Sequence, residues 1–292
     1  MATSPGAKPM EGGNPSRTAQ SVALHRAEHQ LYDVPHVLHD PHALWIIGPE
    51  GAVSIALGWW AAGLPGPRAM RAFIVARSRY AEDELARAVA SGTAQYVILG
   101  AGLDTFACRN PHAASRLSVF EVDHPDTQAW KLSRLALMGI PVPRCLRFVP
   151  ADFERQELEA GLMRAGFRRE EPAFFSWLGV TQYLSKKAVM ATFAEIRSLC
   201  PESAVAFDYA LPRDALPEAE KLTFDTLSAG VEWEGEPFRS FFRPGSLTKD
   251  LRAIGYRRVE RPTADDLNAR YFRDRPDGLK VTGHLGGLMC AS

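Results

Sequence analysis

Gly100, Gly102 and Asp123 are residues whose types and spacing could do chemistry. Residues 96–99 are apolar, with β-branched Val97 and Ile98, the pattern of a strand buried on both faces. The glycines behind them let the backbone turn without a Cβ in the way. Asp104 or Thr105 would then cap a following helix. A strand, a Gly-x-Gly turn and a helix N-terminus together offer backbone donors and a positive dipole end to a ligand. A second apolar run, residues 118–122, ends in Asp123, 21 residues beyond Gly102. In a β-α-β unit that acid lies at the tip of the neighbouring strand, where a carboxylate can accept both ribose hydroxyls of an adenosine. A dinucleotide fingerprint would place its third glycine at position 105, where this chain has Thr105. An adenosyl cofactor without a pyrophosphate therefore fits better than a dinucleotide. Read purely as structure, the same residues make a parallel-sheet turn followed by a surface acid.

Alternating helical and apolar segments must position these residues. Residues 17–33 and 68–89 read as helices before the first strand, and Arg77 and Arg79 lie on the second. His25 and His29 share a helix face at the i, i+4 spacing of a metal pair, but no further ligands stand at defined positions, and no metal is assigned. After Asp123, Pro125 opens a helix towards Met138. Residues 146–150 form a third strand, and Asp152 can cap a helix over 154–165. A fourth strand over 174–180 ends beside Thr181, Gln182 and Tyr183. Ser185 caps a helix over 186–200, and a fifth strand over 204–209 ends in Asp208 and Tyr209. Residues 211–245 break the alternation with four prolines and a helical stretch around 222–227, which we read as an inserted lid. Its Phe224, Trp233, Phe238, Phe241 and Phe242 could wall a pocket for an apolar or aromatic substrate or form the lid's own core. A helix over 247–254 ends at Gly255. Strands around 257–259 and 279–283 are expected to close the sheet.

Composition narrows the function classes. The 292 residues carry 34 basic and 34 acidic side chains, a formal charge of +0, so there is no basic footprint for nucleic acid or an anionic membrane. Residues 1–16 hold Pro, Gly, Ser and Lys with almost no apolar content and are expected to be a disordered tail. The most apolar stretch, residues 52–64, is interrupted by Gly58 and Gly63 and falls short of the ~20 residues that span a bilayer. Four cysteines without a Cys-x-x-Cys pair indicate no disulfide framework and a reduced, cytoplasmic protein. A small-molecule ligand is the default expectation.

Taken together, residues 99–105 (Leu-Gly-Ala-Gly-Leu-Asp-Thr) and 120–125 (Phe-Glu-Val-Asp-His-Pro) resemble the leucine carboxyl methyltransferase-like family of S-adenosylmethionine-dependent O-methyltransferases, in its bacterial branch. The likeness continues in Arg17-Thr18-Ala19, Asp40-Pro41-His42-Ala43, Ala151-Asp152-Phe153, residues 174–184 and Arg270-Tyr271-Phe272. It implies a class I methyltransferase fold: α/β, Rossmann-like, with a mostly parallel seven-stranded sheet and helices on both faces. One domain over 17–292 is expected, with an N-terminal helical part (17–92) and the lid. It also implies S-adenosyl-L-methionine as cofactor, with Arg77 on the methionine carboxylate, Gly100, Gly102 and Asp123 along the nucleoside, and Asp152 and Phe153 at the adenine. Tyr183 and Tyr209 are the candidate substrate-pocket residues. Many relatives carry a glutamate where this chain has Leu178, so one carboxylate contact to the cofactor is missing. The expected activity is methyl transfer to a carboxylate or hydroxyl of a small molecule, a protein C-terminus being the less favoured acceptor. No catalytic base is named. The alternatives are a nicotinamide-dependent oxidoreductase, which Thr105 disfavours, and a non-catalytic cofactor-binding protein of the same fold.

Overall fold

Side-chain alternation along the strands builds the two cores of this protein. The computed structural model describes residues 16–112, 117–154, 158–283 and 285–292. Seven strands form one sheet in the order β3-β2-β1-β4-β5-β7-β6. They are β1 (Gln95–Leu99), β2 (Ser118–Asp123), β3 (Leu146–Pro150), β4 (Ala173–Trp177), β5 (Ala204–Ala210), β6 (Val259–Glu260) and β7 (Gly286–Ala291). The first five run parallel, while β7 is antiparallel to both β5 and β6. Val97, Leu99, Phe120, Val122, Phe175, Trp177, Val205 and Phe207 point to one face. There they meet α6 (Leu158–Arg164), α7 (Lys186–Leu199) and α9 (Pro244–Ile254) through Leu162, Phe193, Ile196 and Leu251. Residues one step away, Tyr96, Ile98, Val119, Phe174 and Ala206, face Val75, Ala76 and Tyr80 of α4 (Pro65–Ala90). A period of two, with both sets apolar, is the signature of strands covered on both sides.

Among the described residues three helices precede α4: α1 (Arg17–Tyr32), α2 (Ala43–Ile46) and α3 (Gly48–Ala62). Ala23, Ala27, Ile46 and Ile55 pack there with Leu103 of the glycine turn and Leu135 of α5 (Pro125–Leu137). The tail expected over 1–16 lies outside the described residues except for Ser16, whose hydroxyl caps α1 at Ala19 N. No helix of the described residues is long and apolar enough to cross a membrane. The apolar run at 52–64 forms most of α3 and leaves Leu57, Trp59 and Trp60 exposed. The spaced histidines have structural partners: His29 is buried against Asp33 and the Val37 amide, and His25 pairs with Glu28.

Two expectations are corrected. The glycine turn leads into a single 3-10 turn, Phe106–Arg109, and not an α-helix. Pro111 supplies the reason, because the residue before a proline is driven from helical to extended backbone, and Asn110 sits at ψ 110°. Closing strands were expected around 257–259 and 279–283; the first is found at Val259–Glu260, and the second runs instead over Gly286–Ala291. Leu279 and Val281 are buried, but Asn268 of α10 (Ala264–Tyr271) takes the place of a partner strand. Its side chain donates to the Val281 carbonyl at 2.9 Å and accepts from the Val281 amide at 2.8 Å. Gly286 and Gly287 open the true last strand, and a Cβ at Gly287 would overlap the Tyr209 ring. The helix expected over 154–165 is described only as α6; residues 155–157 lie outside the described set.

Candidate active site

In an open parallel sheet, ligands bind beyond the carboxyl ends of the strands where the strand order reverses. Here that point lies between β1 and β4, and a cleft of about 1920 Å³ opens there. All eight residues named from the sequence, Arg77, Gly100, Gly102, Asp123, Asp152, Phe153, Tyr183 and Tyr209, line it.

The glycine turn is held from below and left open above. Gly100 and Gly102 adopt φ of +64° and +51°, a region that side chains with a Cβ rarely enter. The amides of Gly100 and Ala101 both donate to the Val122 carbonyl, at 2.8 and 3.1 Å, which ties the turn to β2. A Cβ at Gly100 would strike Val180, and one at Gly102 would lie 3.1 Å from the Ala19 methyl of α1. Asp104 does not cap a helix; its carboxylate accepts from the Phe106 amide at 2.6 Å in a local turn. Thr105 turns its hydroxyl inward, donating to Asp40 at 2.7 Å and accepting from Arg26 at 2.7 Å.

Behind the turn lies a charged network that residue types alone did not reveal. Arg26 of α1 pairs with Asp40, and Arg109 sits 3.6 Å from Asp40 while forking onto Glu82 at 2.9 and 2.5 Å. Burial alone would raise the Asp40 carboxyl, but Arg26, Arg109 and the Thr105 hydrogen bond hold it below the ordinary carboxylate range. The sequence signal was the pair of motifs containing Asp40 and Thr105, 65 residues apart, which the fold brings together.

Asp123 faces the cleft side of the same turn. Its carboxylate accepts from the amides of Gly102 at 2.5 Å and His124 at 2.7 Å. Burial pushes its carboxyl up, against the two amide hydrogen bonds that lower it. Asp152 accepts from the Glu154 amide at 2.9 Å, and the Phe153 ring leans on Trp177 with centroids 5.8 Å apart. On the other flank, Arg77 of α4 is 6% exposed and donates through Nη1 to Asp208 at 2.5 Å, with its Nε buried and unpaired among the described residues. Leu178 lines the cleft with an apolar side chain packed on the core.

Beyond Arg77 the wall turns aromatic. Residues 211–245 contain α8 (Glu218–Trp233), longer than the helical stretch expected around 222–227. Phe224 and Phe238 line the cleft with Phe73, Tyr183 and Tyr209. Phe241 packs on Phe224 and Phe238 from behind, Phe242 belongs to the core, and Trp233 points outward, 84% exposed. The segment's aromatics are thus divided between wall, packing and surface. Burial pushes the hydroxyls of Tyr183 and Tyr209 each up to about 12. Tyr271, part of the Arg270-Tyr271-Phe272 likeness, lies elsewhere and donates to Asp83 at 2.8 Å.

Comparisons with known proteins identify the family and the fold. The family model described as leucine carboxyl methyltransferase matches residues 19–197. The "Putative S-adenosyl-L-methionine-dependent methyltransferase YktD" of Bacillus subtilis (strain 168) is 31% identical over 301 residues, covering 93% of this chain and 96% of that one. A similarly named protein of Saccharopolyspora erythraea is 30% identical over 281 residues, with 94% of each chain covered. Among solved structures, a "putative methyltransferase" from Thermobifida fusca YX superposes with a TM-score of 0.56 at 16% identity over 96% of each chain. A DUF574 family protein from Streptomyces avermitilis MA-4680 gives 0.53 at 14%, covering 93% of this chain and 96% of that one. At those identities the structures speak for the fold alone. The chain belongs to the leucine carboxyl methyltransferase family and is an S-adenosylmethionine-dependent methyltransferase with the class I fold.

Proposed function

We propose that this enzyme methylates an oxygen, most readily a carboxylate, of a small apolar or aromatic molecule. The observation that carries this reading is the continuity of one cleft from the glycine turn to the Phe224 and Phe238 wall. Residues on the cofactor side fit an adenosyl amino acid. Gly100 and Gly102 turn at positive φ beside the cleft, and among the described residues Asp123 is bound only by backbone donors and the Arg77 Nε lacks a partner. In this assignment Asp123 accepts the ribose hydroxyls, Asp152 and Phe153 flank the adenine, and Arg77 takes the methionine carboxylate with its planar fork. The bound cofactor supplies an electrophilic methyl group on a sulfonium.

The protein's own part is to align an acceptor oxygen and keep water away, and orientation of this kind can supply ~7 to 11 kcal/mol of a barrier. Tyr183 and Tyr209, each pushed up to about 12, stay protonated at neutral pH. They can donate hydrogen bonds to an acceptor but do not serve as bases. A carboxylate acceptor is already ionised and needs none, whereas a hydroxyl must lose its proton. That difference favours the carboxylate. Residues 211–245 would act as a lid, with Phe224 and Phe238 as its inner lining.

The test is untargeted. Cell extract is incubated with the enzyme and cofactor labelled in its methyl group, and products are separated by size and treated with mild base. Label on small metabolites that base releases is the expected result. Base-stable label would exclude an ester, and label confined to protein would remove the small-molecule acceptor.

A further inference from the structure

The two buried charges at one end of the cleft form a pair. Arg77 comes from α4 and Asp208 from near the carboxyl end of β5, and both line the cavity while remaining almost wholly buried. Asp208 uses Oδ2 to accept from Arg77 Nη1 at 2.5 Å and Oδ1 to accept from the Gly179 amide at 2.5 Å. The Thr181 hydroxyl donates to the Asp208 carbonyl at 2.7 Å, so the loop beyond β4 is fastened to this residue twice. Gly179, at φ +76°, passes so close that a Cβ would lie 2.7 Å from Arg77 Nη2. The register explains why this acid is in reach. Trp177 and Phe207 are the last paired residues of β4 and β5, and one step beyond them stand Leu178 and Asp208. Both belong to the sheet face on which α4 packs, so the neighbouring strand brings a carboxylate beside the position that Leu178 leaves apolar.

We propose that Asp208 receives the ammonium group of the cofactor's amino-acid end while holding Arg77 ready for its carboxylate. The inference rests on the cofactor assignment made above. An amino acid carries opposite charges on one carbon, and a fixed acid beside a fixed base meets both without leaving net charge buried. Arg77 spends one nitrogen on Asp208 and keeps the rest of its fork, including the unpaired Nε. Each Asp208 oxygen has one described partner and can accept a second hydrogen bond. Asp104 is the competing acid; it lies beside the glycine turn with Arg26 Nη1 at 3.5 Å.

Calorimetry on the full chain with three ligands separates these roles: S-adenosylhomocysteine, its desamino analogue and methylthioadenosine, which lacks the whole amino-acid end. Wild-type protein should bind the desamino compound about tenfold more weakly than S-adenosylhomocysteine, the scale of a charge-assisted hydrogen bond. In Asp208→Asn that preference should disappear while methylthioadenosine affinity holds. In Asp104→Asn the preference should persist. Equal wild-type affinities for the first two ligands would overturn the proposal without any variant. So would a preference that survives in Asp208→Asn or vanishes only in Asp104→Asn. Asp208→Glu, which restores the charge, should regain part of the preference, an effect that loss of stability does not produce. Arg77→Ala tests the underlying reading separately. If it weakens S-adenosylhomocysteine and methylthioadenosine alike, the Arg77 assignment falls, whatever Asp208 does.

Discussion

Two aspartates flank the same glycine turn and are shifted in opposite directions. Asp40, behind the turn, meets Arg26, Arg109 and the Thr105 hydroxyl, and these partners overcome its burial and hold its carboxyl low. Asp123, in front, meets two backbone amides and no described cation within ion-pair distance; burial wins and its carboxyl is raised. The contrast separates a charge completed by the fold from one that a ligand can complete. Both are acids next to one short turn, so neither residue type nor proximity to a motif distinguishes them. Their partners do.

The comparison breaks hardest at the back. Arg26→Ala leaves Asp40 buried with less compensation, and breaking such a pair costs about 3 to 5 kcal/mol. Denaturant unfolding should show a loss of that order, because α1 and the glycine turn lose their shared tie. A loss below ~1 kcal/mol would mean that Arg109 alone satisfies Asp40.

At the front, the same kind of change should act on binding and spare the fold. Asp123→Ala removes charge-assisted acceptors that we expect to be worth ~1.5 to 3 kcal/mol, so affinity for S-adenosylhomocysteine should fall tens-fold or more. Its melting temperature should stay near that of wild type. An unchanged dissociation constant would remove Asp123 from the cofactor site.

Acidification should separate the two aspartates in order. Asp123 has a raised carboxyl, so it takes up its proton at a higher pH than an ordinary aspartate, and ligand affinity declines there by at most about tenfold per pH unit. That protonation favours the folded form, so stability does not fall with it. Asp40 is held low, so its contribution to stability is complete above the ordinary value of 3.8 and is lost as pH falls below it. Titration of affinity and melting temperature from pH 7 to 3 should therefore show affinity failing first. Coincident losses would show that the two sites titrate as one.

The smallest effect tests the same contrast in residues 211–245. Trp233 is 84% exposed and Phe238 lines the cleft. Trp233→Ala should stay within about 0.5 kcal/mol of wild-type stability and keep KM for the acceptor. Phe238→Ala should raise KM. Equal effects on KM would remove the wall assignment.

Local pattern carried far in this chain. The five parallel strands, the turn at Gly100 and Gly102 and the acid at Asp123 were legible because strand burial, backbone freedom and β-α-β spacing leave marks over a few neighbouring residues. The same is true of Ser185, whose hydroxyl caps α7 at the Ala188 amide as its place before the helix implied. Where a local signal had a local competitor it misled, as at Asp104, where Pro111 halts the helix that an acid after glycine suggests. The last strand was misplaced because Val281 has the burial of a strand residue and obtains its hydrogen bonds from Asn268.

What the tertiary structure alone decided is which charges meet. Asp40 and Thr105 are 65 residues apart, and Arg77 and Asp208 are 131 apart. No local preference encodes such pairs, since a carboxylate reads the same whether a guanidinium or a ligand completes it. Folding chooses by bringing α1 behind the glycine turn and α4 over β5. It thereby places Asp40 where guanidinium groups complete it and leaves Asp123 turned towards the cleft.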